Sequence, residues 1–431
     1  MRPIRVVLGL GFGDEGKGTI VDWLARQAAT PPLVVRWNGG PQAAHHVVTD
    51  DGRTHCFAQL GAGSFIADAR THLCGDMAVD LYALWAEADA FAGIAGGSAA
   101  DAVERVTVDP RCALVTPWHA AVNLVRETLR GRGRHGSTGR GVGEAKLGPV
   151  RLFAGELGDA YDAAARIRDA RTALLARATA VLDAGPHAAA DRARAREVVT
   201  AAADPAVLET FLDAAARPLA VTEHAPRMDD IIFESAQGAL LDREHGFFPH
   251  VTPSRITRRA ARDVARSLGL AAPLEVWGVL RAYHTRHGEG PFPSEDSGLA
   301  ARLPELHNRE DGPAGQFRVG WFDAVLARYA VEVAGPIDRL AATCLDRLAT
   351  MPDRSVVAAW KGVHADACGA ELEAAVGSAV PVVRQVDDIA ATIEAAVGHP
   401  IDVASFGPRA RDKRRAHPDF AGANGQRVRH R

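Results

Sequence analysis

The residues with the most evident chemistry lie in a glycine-rich stretch near the first residue, Gly11-Phe-Gly-Asp-Glu-Gly-Lys-Gly18. Its spacing fits GxxxxGK, in which glycines turn backbone N–H groups around phosphate oxygens and the lysine adds a positive charge. A phosphate loop normally continues with Ser or Thr as a Mg²⁺ ligand, but Gly18 stands there. Asp14 could supply that oxygen instead. The alternative interpretation is a glycine-rich turn with a solvated Lys17.

Elements on both sides must hold this loop in place. Residues 4–10, IRVVLGL, form an apolar β-branched run that predicts a buried strand, and TIVDWLARQA after the loop has helical periodicity. The run 32–37 predicts the next strand, which closes a βαβ unit with a parallel sheet. Strand, loop and helix in this order favour phosphate binding over a plain turn.

The rest of the chain alternates between the two kinds of element. Strands are predicted within 105–115, 228–235 and 274–283, and helices within 77–104, 158–220 and 321–334. The glycine-rich stretch 131–143 predicts a loop. We expect one α/β domain over residues 1–418, with a helical insertion at about 158–220, and a polar, basic, disordered tail over 419–431.

Bulk composition excludes several classes of protein. The chain has 431 residues, 47% of them hydrophobic, and a net charge of −3, so no overall field favours nucleic acid. Its five cysteines form no CxxC pair, which argues against a disulfide scaffold or a zinc site. No secretory signal and no run of 18 apolar residues is present. We therefore expect a cytoplasmic protein with no membrane partner.

Several segments in a fixed order resemble one known family. GFGDEGKGTIVDWLA at the glycine loop resembles the first signature of the adenylosuccinate synthetases, and five further segments are similar to signatures of that family. They are VVRWNGGPQAAHHVV (34–48), GSTGRGVGEA (136–145), FESAQGALLDREHGFFPHVTPSRIT (233–257), LRAYHTRHGEGPFPSE (280–295) and GWFDAVLARYAV (320–331). The resemblance implies an α/β fold with a large, mostly parallel central sheet, peripheral helices and a P-loop-like glycine loop at the N-terminus.

The resemblance also implies a two-stage ligation. GTP phosphorylates the 6-oxo group of IMP, and the amino group of aspartate then displaces phosphate to give adenylosuccinate. Asp14 falls on the position of the base and also approaches Mg²⁺, His45 falls on the catalytic histidine, and Lys17 holds phosphate. The carbonyl of Ala44 takes the place of a second magnesium ligand. A homodimer is implied as well.

Further positions carry over from these segments and from two short ones, TCLDRL (343–348) and SFGP (405–408), which resemble the base-recognition segments of the family. Nucleotide-binding positions are Gly13, Glu15, Gly16, Gly18, His46, Asp346, Ser405 and Gly407. Acceptor-binding positions are Gln42, Ser137, Thr138, Gln237 and Thr252. Asp346 matches the carboxylate that accepts two hydrogen bonds from guanine, which is a sound way to choose GTP over ATP.

The chain differs from the family at positions that the resemblance assigns to substrate binding. The family's arginine-rich aspartate loop reads DGPAGQFRVGWFD here, so Arg318, with help from Arg309, is left to bind the dicarboxylate. Cys344 replaces the lysine of the base segment, and the arginine that crosses the family's dimer has no clear counterpart. Several segments look similar to the branch that makes 2-aminoadenylosuccinate from deoxyguanylate, although that branch usually lacks the loop aspartate.

Four functions therefore remain open. The first is ligation of aspartate to IMP with GTP. The second is 2-aminoadenylosuccinate synthesis from GMP or dGMP with ATP or GTP. The third is an aspartate ligase for a non-purine acceptor, and the fourth is a catalytically dead nucleotide-binding paralogue. Retention of Asp14, Lys17, His45 and Gln237 together opposes the fourth.

Overall fold

The computed structural model describes residues 2–148, 160–304, 315–364, 367 and 369–415. Its strands are β1 (Ile4–Gly9), β2 (Leu33–Arg36), β3 (His45–Val48), β4 (Thr54–Phe57), β5 (Arg70–Leu73), β6 (Ala78–Val79), β7 (Val106–Val108), β8 (Ala113–Leu114), β9 (Ala220–Val221), β10 (Ile231–Gly238), β11 (Leu274–Arg281), β12 (His284–His287), β13 (Phe317–Gly320), β14 (Phe322–Asp323), β15 (Arg339–Thr343), β16 (Ser355–Trp360), β17 (Pro381–Gln385), β18 (Val403–Ser405) and β19 (Lys413–Arg415).

Helices fill much of the chain between these strands. They are α1 (Lys17–Arg26), α2 (Leu81–Ala95), α3 (Ala99–Glu104), α4 (Pro117–Arg130), α5 (Val142–Leu147), α6 (Ala160–Asp183), α7 (Ala189–Ala203), α8 (Pro205–Ala216), α9 (Arg258–Ser267), α10 (Ser297–Arg302), α11 (Ala324–Ala334), α12 (Leu345–Ala349), α13 (Gly369–Val376) and α14 (Ile389–Val397).

One large sheet organises the molecule. Within the described ranges it has ten strands in the order β19-β18-β15-β11-β1-β10-β2-β5-β7-β9. Neighbouring strands pair in parallel along the whole series except at β18–β19, which is antiparallel. This confirms the α/β fold with a mostly parallel central sheet. The strand that precedes the glycine loop lies in the middle of the sheet, between β11 and β10.

Helices cover both faces of the sheet. Val6 and Leu8 of β1 belong to a core with α9, α11 and α14, whereas Val7 belongs to a second core with α1, α2, α4 and α6. Successive side chains of a strand point to opposite faces, so one apolar run serves two cores. A strand buried on both faces reads as continuous hydrophobic sequence, which is why 4–10 and 32–37 could be recognised.

Local chemistry sets where several helices begin. Asp80 caps α2 by accepting the N–H of Ala83, and Thr116 forms a capping box with His119 at the start of α4. The expectation of an amphipathic helix over 321–334 was only partly right. Residues 322–323 belong to a strand. α11 buries most of its side chains because it packs against α14, β16 and the turn at Ala239–Leu241 in the first core.

Three consecutive helices, α6 to α8, lie outside the sheet between β8 and β9. They pack against α4 and α2, and Ile167, Leu174 and Phe211 are buried in the second core. α6 extends over 24 residues but carries arginines and aspartates along its length. Of the helices in the described part of the chain, none is long and apolar enough to cross a membrane.

Candidate active site

The predicted site residues follow strands that are neighbours in the sheet. The glycine loop follows β1, Gln237 is the next-to-last residue of β10, and residues 42–46 follow β2. Asp346 and Ser405 lie at the ends of β15 and β18. Because the carboxyl ends of parallel strands meet at one edge, all of these positions share the edge at which open α/β sheets bind ligands.

The glycine loop is held together from inside by a buried ion pair. Lys17 Nζ donates to Glu15 Oε2 at 2.7 Å, and the N–H of Gly13 donates to Glu15 Oε1 at 2.7 Å. Lys17 is 3% and Glu15 2% exposed, so the solvated lysine of the alternative interpretation is not observed. Gly16 caps α1 with φ 88°, a left-handed conformation that glycine adopts without strain. The carboxylate of Glu15 thus faces the loop interior, and its carbonyl accepts the hydroxyl of Thr343 at 2.7 Å.

Asp14 lies at the tip of the loop and accepts hydrogen bonds from residues at the ends of β11 and β12. His287 Nε2 donates to Asp14 Oδ2 at 2.8 Å, and Arg281 Nη1 donates to the carbonyl of Asp14 at 3.4 Å. Burial alone would raise the pKa of Asp14. The hydrogen bond and charge of His287, together with Arg281 and Lys17, outweigh that effect and lower the pKa to about 2. Asp14 is therefore an anion at neutral pH.

His45 lies against the first turn of α1. A side chain at Gly18 would place its Cβ 2.7 Å from His45 Cβ, so glycine is required for this close approach. His45 Nδ1 hydrogen-bonds to Glu234 Oε1 of β10. Burial lowers the pKa of His45 to about 4, although Glu234 acts in the opposite direction. The ring is thus neutral at pH 7, and its Nδ1–H donates a hydrogen bond to the carboxylate.

Glu234 is a fully buried carboxylate with its charge balanced. Its second oxygen, Oε2, accepts the N–H of Ala62 at 2.9 Å. Arg36 of β2 lies directly opposite in the strand pairing and is also fully buried. Burial raises the pKa of Glu234, but Arg36 and His45 more than compensate, so the net pKa is below the ordinary value. This pairing stabilises one ring orientation and one tautomer of His45.

Two of the predicted acceptor residues contact each other. Thr252 Oγ1 donates to Gln237 Oε1 at 3.3 Å, and Gln237 has φ 58°. Non-glycine residues with positive φ are uncommon and occur often at functional sites. Gln42 is half-buried, and its Oε1 finds no hydrogen-bond partner among the described residues. Gln42 and Gln237 thus supply amide groups on the strands to one side of the glycine loop.

The loop with Ser137 and Thr138 approaches the same place from outside the sheet. Ser137 Oγ donates to Asn123 Oδ1 at 2.8 Å, whereas Thr138 is exposed. A Cβ at Gly136 would lie 3.0 Å from the N of Glu289, in the turn after β12. His250, two residues before Thr252, hydrogen-bonds to the carbonyl of His135 at 3.1 Å. Three loops therefore converge around the predicted acceptor residues.

The predicted base-recognition residues occupy adjacent strand ends. β15 and β18 pair in parallel, which places Asp346 in α12 beside the Ser405–Gly407 turn. Ser405 Oγ donates to the carbonyl of Gly407 at 3.1 Å. Lys413 Nζ donates to that carbonyl at 3.0 Å, and burial lowers its pKa to about 8. Cys344 adopts φ 57° at the start of α12.

The β12–β13 hairpin carries the predicted aspartate-binding arginine. Arg318 Nη1 donates to Glu295 Oε2 at 2.9 Å, and its Nη2 donates to the carbonyl of Gly290 at 2.8 Å. The guanidinium is therefore already paired within the chain. Arg309 lies outside the residues that the structure describes, so its position relative to Arg318 is left as a prediction.

The remaining predicted ligands lie on the segment after β2. Ala44 is exposed, and His46 is half-buried on β3 opposite Cys56. Over the described ranges, no group of three or more His, Cys, Asp or Glu side chains could hold a metal ion by themselves. A cation here would need oxygens from bound phosphates or water in addition to Asp14 and Ala44.

Sequence reasoning missed three residues that touch the centre: Glu234, His287 and Arg281. Glu234 had a signal, because it is a carboxylate inside an otherwise apolar strand, IIFES, and a buried charge requires a partner. His287 and Arg281 had none. Their contacts with Asp14 join residues more than 260 positions apart, and only the pairing of β1 with β11 brings them together.

Comparisons with known proteins identify the family of this chain. The family model for adenylosuccinate synthetase matches residues 6–396. The adenylosuccinate synthetase of Neisseria gonorrhoeae is 31% identical over 352 residues, which cover 80% of this chain and 77% of the relative. That of Azotobacter vinelandii is 31% identical over 430 residues, covering 94% and 96% of the two chains.

Solved structures show the same fold. The fully ligated adenylosuccinate synthetase of Plasmodium falciparum aligns with a TM-score of 0.71 at 20% identity, over 96% of this chain and 99% of that one. The succinoaminodeoxyadenylate synthetase of cyanophage S-2L, solved with dGMP and dATP, aligns with a TM-score of 0.56 at 17% identity, over 96% and 95%. The extent of the family match and the identity to the bacterial enzymes show that this chain belongs to the adenylosuccinate synthetase family of C–N bond-forming ligases.

Proposed function

We propose that this ligase joins L-aspartate to C6 of IMP at the expense of GTP, and releases adenylosuccinate, GDP and phosphate. Family membership supports the class of reaction, a purine-nucleotide-dependent aspartate ligase. The observation that carries the proposal is an ionised Asp14 inside a glycine loop whose next helix packs on the His45–Glu234 pair. A base and a proton carrier thus stand on the two sides of one phosphate-binding turn.

Asp14 would act first, on the acceptor. It removes the proton from N1 of the purine, the electrons move to O6, and O6 attacks the γ-phosphorus as the bond to the leaving GDP oxygen breaks. A pKa of about 2 ensures the anionic form but makes a weak base. Two bound nucleotides bring negative charge next to the carboxylate, which raises its affinity for a proton.

His45 would contact the transferring phosphoryl group. Glu234 accepts a hydrogen bond from Nδ1–H of His45, so Nε2 is the nitrogen that can exchange a proton with phosphate oxygens. Negative charge on that group favours the imidazolium, and Glu234 balances it. In the second stage the aspartate amine attacks C6, the C6–O6 bond breaks, and phosphate leaves with both bonding electrons. Lys17 lies close enough to Asp14 and His45 to affect both pKa values.

Mg²⁺ fits the residues present. It prefers a few protein oxygens completed by phosphates and water. The side chain of Asp14 is partly open to solvent at the tip of the glycine loop, and Ala44, directly before His45, is exposed. Asp14 and the Ala44 carbonyl would hold the ion, which when bound neutralises charge on the donor phosphates.

The choice of GTP rests on Asp346. A carboxylate can accept two hydrogen bonds from the N1–H and 2-amino group of guanine, and adenine offers no such pair. Asp346 stands beside the Ser405–Gly407 turn, where a base would also meet backbone groups.

A guanylate acceptor is the second candidate, and three observations favour it. Cys344 stands where the base segment of the family has a lysine, and the β13 segment has Arg318 without the family's other arginines. The cyanophage enzyme with this fold was solved with dGMP and dATP. On this reading the chain would make a 2-aminoadenylosuccinate product.

Phosphate release distinguishes these functions. Purified protein with Mg²⁺ and aspartate is assayed with IMP, GMP and dGMP, each combined with GTP and with ATP. We expect release that requires IMP and aspartate together and is fastest with GTP. Release only with GMP or dGMP would establish the second candidate. No release with any pair would leave a non-purine acceptor or a dead paralogue.

We also propose that the chain acts as a homodimer, as the resemblance implies. Light scattering on the purified protein would give twice the mass of one chain. A monomeric mass in an active preparation would show that each active site is complete within one chain.

A further inference from the structure

The hydrogen bond between His287 and Asp14 joins two parts of the site. His287 is the last residue of β12, and Asp14 belongs to the loop after β1. Nε2 lies 2.8 Å from Oδ2, and both side chains are partly open to solvent, 38% and 28% exposed respectively. The pair is therefore partly accessible to solvent and is not a buried structural contact.

The segment that begins at the end of β11 holds Asp14 at two points. Arg281 donates to its carbonyl at 3.4 Å and His287 donates to its carboxylate. Asp14 has φ 57°, an uncommon conformation that the surrounding structure must stabilise. An aspartate carboxylate otherwise rotates freely about χ2, because that torsion has a broad, two-fold profile.

The ring of His287 is itself fixed by the neighbouring strand. It packs edge-on against Phe317 of β13, with ring centroids 4.7 Å apart. His287 and Phe317 are direct partners in the antiparallel pairing, and Arg318 follows at the next position. The residue that holds Asp14 is thus built into the same hairpin as the arginine assigned to aspartate.

We propose that His287 is a positioning residue that holds Oδ2 of Asp14, so that Oδ1 is presented to the proton of the acceptor, and that it ties the base to the β12–β13 hairpin. This inference rests on the proposed role of Asp14 as the base. His287 transfers no proton in the reaction. It acts as a hydrogen-bond donor through Nε2–H, and its effect is confined to the orientation of the carboxylate.

Positional isotope exchange tests the step in which Asp14 acts. Donor nucleotide labelled with ¹⁸O in the bridge to the γ-phosphate is incubated with Mg²⁺ and acceptor but no aspartate, so scrambling of the label reports phosphoryl transfer to O6 alone. The variants are His287→Ala, which removes the donor, and His287→Gln, whose amide N–H reaches about as far as Nε2. His224→Ala, at an exposed histidine with no side-chain contact to the site, is the matched control.

We expect His287→Ala to lower exchange at saturating nucleotides about 10- to 100-fold, as loss of a hydrogen bond to a charged group predicts. The acceptor KM and the melting temperature should change little, and His287→Gln should restore most of the rate. Wild-type exchange in His287→Ala, or a His287→Gln variant as slow as the alanine variant with an unchanged melting temperature, would overturn the inference.

A spectroscopic readout separates this inference from the proposed function. In protein labelled with ¹⁵N-histidine, the resonances assigned by their loss in His287→Gln should report a ring protonated at Nε2, and Asp14→Ala should abolish that preference. If wild-type protein shows no exchange with any acceptor, the proposed function fails, and the tautomer measurement still decides whether His287 holds Asp14. An Nδ1-protonated ring that is insensitive to Asp14→Ala would refute the contact.

Discussion

The glycine-loop centre and the β12–β13 hairpin differ in how their charged groups are paired. In the centre, Lys17 pairs with Glu15, and His45 pairs with Glu234 beside Arg36, so each of these groups is held in place by a buried partner. On the hairpin, Arg318 is held by Glu295 and the carbonyl of Gly290. An arginine that is already occupied must exchange its partner before it can bind a substrate carboxylate.

With the roles proposed above, phosphoryl transfer and amine selection are assigned to separate parts of the fold. The centre is built on neighbouring strands of the main sheet, where β1, β10 and β2 fix its residues relative to one another. The hairpin is a two-stranded sheet of its own. Residues of a small sheet can change without disturbing the central sheet. The segment that contains this hairpin is where the sequence departs most from the family's pattern.

The strongest test of the centre is Asp14→Asn. The amide cannot accept the N1 proton, so we expect turnover to fall by about 1,000-fold or more, in line with loss of a general base. Phosphate release measures turnover, and thermal unfolding checks that the fold is intact. Near-wild-type turnover would remove Asp14 from the base role and leave it as a loop residue.

Glu234→Gln tests whether the buried pair orients His45. The amide is similar in shape but loses the charge that stabilises the imidazolium, and we expect kcat to fall about 100-fold. Glu87→Gln is the matched control, because Glu87 is a buried carboxylate that accepts the N–H groups of Ala58, Gln59 and Leu60. If both variants lose kcat equally, the effect is one of packing and the comparison fails.

Arg318→Ala tests the hairpin side. Loss of a charged donor should raise the KM for aspartate about 10-fold or more and leave the KM of both nucleotides nearly unchanged. Glu295→Gln should do the opposite and lower the KM for aspartate, since it weakens the competing partner. An unchanged aspartate KM in both variants would assign the carboxylates to other residues.

Asp346→Asn should have the smallest effect. We expect the preference for GTP over ATP to fall by about 10-fold or less, because the second half of the base site at Ser405 and Gly407 is unaffected. The ratio of kcat/KM for the two donors measures it. A preference equal to that of the wild type would mean that Asp346 is structural and does not select the donor base.

Much of the fold could be predicted from the sequence because the two patterns that indicate strands and the glycine loop each involve residues that are close together in the chain. Continuous apolar runs mark strands buried on two faces, and glycines at fixed spacing mark a loop between strand and helix. These gave β1, α1, β2, β10 and β11 close to their observed bounds. Element ends were less accurate at 321–334, where a short strand precedes α11.

The sequence by itself determined the identities of the chemical groups: a carboxylate and a lysine within a glycine loop, a histidine after the second strand, and an altered substrate segment. Tertiary structure alone decided their partners. His45 meets Glu234 across 189 positions, and Asp14 meets His287 across 273. Such contacts depend on the order of strands in the sheet. A hydrogen bond between two residues that are distant in the chain produces no repeating sequence pattern from which it could be predicted. The charge state and orientation of each reacting group follow from those contacts, so they were set by the fold.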